Sequence, residues 1–308
     1  MPAVLRIVIV LLLGLSALGA RPAHATDAVI FLLSERGGAY AEVADALHHE
    51  LGGAAAVTQR LVAEVDSLPQ GSPRAVVAIG TEACRALAQN SLAAPLNLCV
   101  LLPRLAYERI AEGARARGKV LSAVLLDQPL ARQMALIRLA LPERRRIAVL
   151  LGPETNTLGH ALAASAAAHG LSVRLGRVGL PEELAGELHK VLADADLLLA
   201  VPDGTVYNSR TIQNVLRSTF MRRVPLVAFS PAYVRAGALL ALYSTPAQIG
   251  RQAGRALRAA LSGRELPPAQ HPQEFEVGVN LHVARSLAID LDDGAALAER
   301  LRRMEPAR

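Results

Sequence analysis

The sequence predicts an α/β protein of two lobes, each built on a parallel sheet, with a hinge between them. Three observations carry this. Short, largely apolar runs recur without strict polar alternation, as strands covered on both faces require. Between most of them lie stretches with the three-to-four residue spacing of amphipathic helices. Many strand starts are about 25 residues apart, the length of one strand–helix unit. No residue motif recurs with that spacing, so the period belongs to the fold.

Met1 to Ala25 reads as a secretory leader. Arg6 supplies a positive start, Ile7 to Leu18 an apolar stretch, and Ala23-His24-Ala25 the small–x–small pattern that signal peptidase cleaves. Gly14, Ser16 and Gly19 break the run, which falls short of the roughly 20 apolar residues of a membrane span. No cysteine follows it, so no lipid anchor is expected. The mature chain is expected to start at Thr26, soluble and periplasmic.

Ala28–Leu33 is uniformly apolar and reads as the first strand, with Ala41–Leu51 as the helix behind it. Ala75–Ile79 leads into a helix at Glu82–Gln89, and Leu96–Leu102 is the next strand. A polar bridge at Arg115–Val120 precedes Ser122–Leu126 and the helical Leu130–Leu141. Strands at Ile147–Leu151, Leu171–Leu175 and Leu197–Val201 alternate with helices at Leu158–His169 and Glu182–Ala193. Thr205–Phe220 is helical, Pro225–Phe229 and Ala238–Tyr243 are strands, and Ala247–Leu261 is a long helix.

Nine strands and a polar bridge suit two lobes, with one doubly wound nine-stranded sheet as the alternative. The first lobe is expected at 26–118 and the second at 119–236. Near Gly237 the chain is expected to return, so that about 237–308 completes the first lobe. Pro267-Pro268 and Pro272 make the start of the tail extended, packing there or across the hinge.

Composition narrows the function classes. The 308 residues are 52% hydrophobic but only 3% aromatic, with no Trp, so Ala, Leu and Val must build the core. Charged residues are spread along the chain, which argues against disorder. Two cysteines make neither a disulfide-dense scaffold nor a cysteine zinc cluster. The formal charge of +6 suggests a polyanionic partner, but Arg6 and Arg21 belong to the leader and leave +4. Much of the rest lies in local runs such as Arg144-Arg145-Arg146, without interleaved aromatics, so no nucleic-acid partner is expected.

In open parallel sheets ligands bind where strands end and helices begin. Ser34-Glu35-Arg36-Gly37-Gly38-Ala39-Tyr40 follows the first strand, Gly80-Thr81-Glu82 another, and Pro103-Arg104 a third. In the second lobe, Asp127-Gln128-Pro129, the run from Gly152 to Thr157, Pro202-Asp203-Gly204-Thr205 and Ser230-Pro231 hold the equivalent places. Each such loop needs caps and turn residues in any case. Their hydroxyls, carboxylates and tyrosines nevertheless recur on both lobes, and five of the nine aromatics (Tyr40, Tyr207, Phe229, Tyr233, Tyr243) lie in or beside them. That pattern predicts a ligand cleft.

Enzyme signatures are missing. No G-x-x-x-x-G-K-[ST] loop occurs, no G-x-G-x-x-G follows the first strand, and no G-x-S-x-G elbow is present. His48-His49 is not a metalloprotease motif and reads as an exposed helix face. No cofactor, metal or catalytic residue is expected. Cys84 and Cys99 read equally as a disulfide or as two buried thiols.

The loops just quoted resemble the ABC transporter substrate-binding family, together with Pro142-Glu143 before Ile147–Leu151, the run from Pro202 to Ser209, Pro225–Ser230 and Ala236–Leu240. Members related to it include tryptophan- and tyrosine-type binding proteins of bacterial importers. The resemblance covers nearly all of the mature chain and is strongest from Ser122 to Gln252. It implies a type I periplasmic binding fold: two Rossmann-like lobes, three crossovers, and closure around a small molecule, with an amino acid as the first candidate. Carried over, Ser34, Gly38, Tyr40, Gly80 and Thr81 would line the first lobe. Asp127, Glu154, Thr155, Asp203, Thr205 and Ser230 would line the second, with Asp203 or Glu154 meeting an ammonium. The implied partner is an inner-membrane ABC permease, with a sensory receptor as the alternative, and the working state a monomer. An exported two-lobed transferase is the weaker reading, since export removes nucleotide substrates.

Overall fold

The computed structural model describes residues 28–67, 73–90 and 94–305, so the expected leader lies outside the described residues. The first sheet takes β1 (Ala28–Leu33), β2 (Ala56–Leu61), β3 (Ala75–Ile79), β4 (Leu96–Val100) and β5 (Ser122–Val124). Its order is β2-β1-β3-β4-β5, parallel throughout. The second takes β6 (Arg146–Leu151), β7 (Ser172–Arg177), β8 (Leu197–Leu199), β9 (Leu226–Ala228), β10 (Leu240–Tyr243) and β11 (Glu276–Val279). Its order is β11-β10-β9-β8-β6-β7, with β10 and β11 antiparallel and the other pairs parallel. This is the two-lobed α/β architecture, and it sets aside the single nine-stranded sheet.

Both sheets are covered on two faces. In the first lobe α1 (Gly38–Leu51) covers one face, while α2 (Thr81–Gln89) and α3 (Arg104–Arg115) cover the other. In the second, α4 (Leu130–Ala140) and α5 (Gly159–Ala168) lie opposite α6 (Leu184–Leu192), α7 (Ile212–Met221) and α8 (Pro231–Ala236). Double coverage explains the unbroken apolar runs: β3 and β8 are buried at every position. Phe31, Leu47 and Ile79 are fully buried, and each contributes about 1.5–3 kcal/mol of transfer free energy.

The lobe boundaries differ from the expected ones at two places. Ser122–Val124 pairs with β4 and closes the first sheet, whereas 119 was expected to open the second lobe. Leu240–Tyr243 pairs with β9 inside the second sheet, whereas the chain was expected to have returned to the first by Gly237. The return comes one element later. α9 (Pro246–Leu261), begun by a Thr245–Gln248 capping box, packs on α1 in the first lobe. The approach is close because Gly250 and Gly254 face α1; a Cβ at Gly250 would stand 2.6 Å from the Val43 carbonyl oxygen.

The tail then crosses back. Gln270 bridges to β5, its N–H donating to the Ala123 carbonyl at 2.8 Å, before β11 enters the second sheet. α10 (Leu281–Ser286) and α11 (Gly294–Met304) complete the second lobe's core rather than the first lobe's.

The chain thus crosses between lobes after β5, after β10 and before β11, and the crossings are tied together. Gln128 Nε2 donates to Ser244 Oγ at 2.8 Å, and Ser244 Oγ donates to the Glu274 carbonyl at 2.5 Å. His271 Nδ1 lies 2.8 Å from the Asp127 carbonyl oxygen. The buried Arg132 guanidinium donates to Gln128 Oε1 and the Pro272 carbonyl, pairs with Glu305, and lies 4.4 Å over the Phe275 ring. Such a charge is tolerable in a core only because its donors are matched.

Cys84 of α2 and Cys99 of β4 form a disulfide, with Cα atoms 5.5 Å apart and both side chains buried. The open choice between bridge and free thiols is settled as a bridge, which staples α2 to the first sheet.

Candidate functional site

A cavity of about 700 Å³ opens between the lobes, within the usual 300–1,000 Å³ of small-molecule sites. The carboxyl ends of β1, β3, β4 and β5 meet it from one side, and those of β8, β9 and β10 from the other. The geometry follows from parallel strands: these seven point their ends, and the helix starts behind them, into the same gap.

On the first lobe, Ser34 lies at the end of β1. Its N–H donates to the Ile79 carbonyl at 3.0 Å, and its Oγ accepts from the Ala83 N–H at 3.0 Å, so it joins two strand ends and caps α2. Gly80 sits at φ +99° directly behind; a Cβ there would meet Ser34 Oγ at 2.5 Å and the Tyr40 ring at 2.6 Å. Only glycine leaves room for that pair. Tyr40, in the first turn of α1, is half-buried. Its phenol is held above its ordinary range by burial, then by the nearby Glu35 and Glu82 carboxylates. Glu35, Thr81 and Glu82 complete this wall.

At the hinge, an Asp127 carboxylate oxygen accepts the Arg104 N–H at the start of α3. Burial raises the Asp127 pKa, opposed by that N–H and by His271. Gln128 and Gln133 lie beside it. The second-lobe wall is more apolar, with Phe229, Ser230, Leu242 and Tyr243 in its middle. Phe229 meets Tyr233 edge-on at 4.8 Å, and Tyr207 packs behind both. The Tyr207 hydroxyl is buried without a hydrogen-bond partner, and burial drives its pKa upward.

Of the expected contact residues, Ser34, Tyr40, Thr81, Asp127 and Ser230 come together on this cavity. Gly80 lies immediately behind its wall. Gly38, at φ +52°, shapes the start of α1 without lining it. Glu154, Thr155, Asp203 and Thr205 gather elsewhere, in a knot between the β6 and β8 loops. Asp203 is buried, and its carboxylate accepts from the Glu154 N–H (3.1 Å), the Thr155 N–H (3.1 Å), Thr155 Oγ1 (2.9 Å) and the Thr205 N–H (3.0 Å). With four donors on it, Asp203 clamps two loops together and stands off the cavity wall.

Glu35, Glu82, Gln128, Gln133, Phe229 and Tyr243 also line the cavity and are not among the expected contact residues. Their signal was position: each ends a strand or sits within a few residues of one of the loops already singled out.

Two parallel-sheet lobes, three crossings and a ligand-sized cavity between strand ends define the fold of type I periplasmic binding proteins. Residues 39–299 match the family described as ABC transporter substrate binding protein, and the chain belongs to that family. Solved structures with the same fold include an ABC domain in complex with L-Trp from Streptococcus pneumonia. It is 17% identical, with a TM-score of 0.61 over 87% of this chain and 96% of that one. A conserved domain protein from Vibrio cholerae is 20% identical, with a TM-score of 0.61 over 89% and 98%. A ligand-free, open substrate-binding protein with adhesive properties from Clostridium difficile is 14% identical, with a TM-score of 0.68 over 86% and 96%. No curated protein matches the sequence. The family is one of substrate-binding proteins, typically periplasmic and soluble, whose members take a small-molecule ligand and partner an ABC permease. No helix among the described residues is long and apolar enough to cross a membrane.

Proposed function

We propose that this protein is the periplasmic binding component of an ABC importer, a non-enzymatic monomer that closes on a small molecule and delivers it to an inner-membrane permease. The observation that carries this reading is the cavity between two lobes joined by three hydrogen-bonded crossings, a geometry suited to hinge closure. Export is supported by the leader expected at Met1–Ala25 and by the Cys84–Cys99 disulfide, since such bridges persist in oxidising compartments. Ser34, Tyr40, Thr81, Asp127 and Ser230 are the contacts proposed for the ligand. Amino acids are the first class to test, because one structural neighbour was solved with L-Trp.

Mass spectrometry of the small molecule released from denatured protein names the ligand. Adding that compound back at 100 times its Kd stabilises the protein by about 2.7 kcal/mol and lowers the radius of gyration in solution scattering. A protein that binds nothing in this way and keeps one radius throughout contradicts the reading.

A further inference from the structure

The charge on the cavity wall selects among small-molecule ligands. Glu35, Glu82 and Asp127 all face the cavity, and no Lys, Arg or His is among the described residues that line it. Several neighbouring cations are engaged away from that wall, while His271 and Arg235 lie near Asp127 and Tyr243. Arg36 pairs with Glu64 at 3.6 Å and the Arg104 side chain with Glu108 at 2.6 Å. Arg85 does pair with Glu82, at the exposed rim, and offsets part of that one charge. The cavity is therefore acidic on balance.

A ligand carboxylate would ordinarily be drawn to the helix starts on the first lobe, where N–H groups and the helix dipole favour an anion. Here each of those starts already has an acid. Glu35 precedes α1, Glu82 lies in the first turn of α2, and Asp127 accepts the first N–H of α3. At α2 the Ala83 N–H is taken by Ser34 Oγ and at α3 the Arg104 N–H by Asp127, and beside all three starts a second anion meets like charge.

Aromatic rings supply an independent observation. Tyr40 stands on the first-lobe wall, and Phe229 and Tyr243 on the second, so a chain with nine aromatics places three of them around one cavity. Ring faces attract an organic ammonium, more strongly as water is excluded, and carboxylates beside the rings reinforce the attraction.

We infer that the ligand is an organic cation: an amine or quaternary ammonium with an apolar body and no free carboxylate. This rests on the binding-component reading above and narrows its ligand class. The site is the whole cavity, with the first lobe reading charge and the rings enclosing the apolar body.

The test compares phenethylamine, phenylalanine, 3-phenylpropionate, choline and galactose by thermal shift and titration calorimetry at neutral pH. The amine or choline is expected to bind at least tenfold more tightly than phenylalanine, with no binding of phenylpropionate. Affinity should fall at least tenfold in Glu35→Gln/Glu82→Gln, whose exposed positions leave folding intact, and fall again as ionic strength rises. Tighter binding of phenylalanine, phenylpropionate or galactose overturns the charge inference and leaves the binding-component reading standing. Cation binding unchanged in the double variant also overturns it. Binding of none of the five, together with an unchanging scattering radius and no co-purifying molecule, overturns both.

Discussion

The two walls of the cavity use their polar residues in opposite ways. On the first lobe, Glu35, Thr81 and Glu82 present side chains to the gap. On the second, the comparable loops turn inward, and Asp203 gathers four donors from Glu154, Thr155 and Thr205 into a knot beside the cavity. Both sets are strand-end loops rich in acids and hydroxyls, so residue type alone does not separate them. What separates them is whether a neighbouring loop offers N–H groups within reach. A carboxylate that gathers several becomes scaffold, as Asp203 does, whereas Asp127, which accepts one, still lines the cavity.

This contrast is easiest to break at Asp203. Asp203→Ala leaves several donors without an acceptor, and is expected to cost on the order of 4 kcal/mol in urea denaturation while ligand affinity changes little. Lost affinity at unchanged stability would erase the distinction between the walls. The first lobe's rigidity rests partly on its bridge: Cys84→Ala/Cys99→Ala is expected to cost about 3 kcal/mol by the same measurement, again without changing the cavity's ligand preference.

A smaller effect sits at the far end of the second lobe. Burial of Asp196 works against its ionised form, but hydrogen bonds from the Arg146 side chain and from the Arg146 and Arg145 N–H groups outweigh it and hold the pKa at about 2. A depressed carboxylate stabilises the fold above its unfolded pKa near 4 and loses that contribution as pH falls toward 2. The pair is partly solvated, so Asp196→Asn is expected to cost about 1 kcal/mol at neutral pH and nothing near pH 2, read from melting curves across that range.

The smallest effect sharpens the first-lobe side. Burial raises the Asp127 pKa, so its negative charge is lost at a higher pH than that of an ordinary carboxylate. Affinity for a cation should weaken severalfold as pH falls through that region, and Asp127→Asn should flatten the profile in calorimetric titrations.

The architecture was legible because buried parallel strands write themselves as apolar runs. β2 and β11 were not, for a physical reason. Ala56–Leu61 is an edge strand with exposed and half-buried positions, and Glu276–Val279 is a four-residue edge strand in a proline-rich tail. Neither needs an apolar run. The lobe boundaries were misplaced because Ser122–Val124 and Leu240–Tyr243 are equally apolar in either sheet; pairing partner, not composition, assigns them. Loop position brought Ser34, Tyr40, Thr81, Asp127 and Ser230, about half of the residues expected, to the cavity. The rest depended on where side chains point. Asp203 announced itself as an acid at a strand end, and nothing in the sequence says that its oxygens face inward.

The packing of α9 on α1 sets an order of assembly. The apolar face that α1 begins to cover stays open until Ile249, Ala253 and Leu257 arrive, and by then all of the second lobe but β11, α10 and α11 has been made. The amino-terminal half of the chain therefore cannot mature by itself as it emerges. Each lobe waits for a piece synthesised after most of the other, and a truncation anywhere before residue 261 leaves two unfinished halves rather than one finished lobe and one missing.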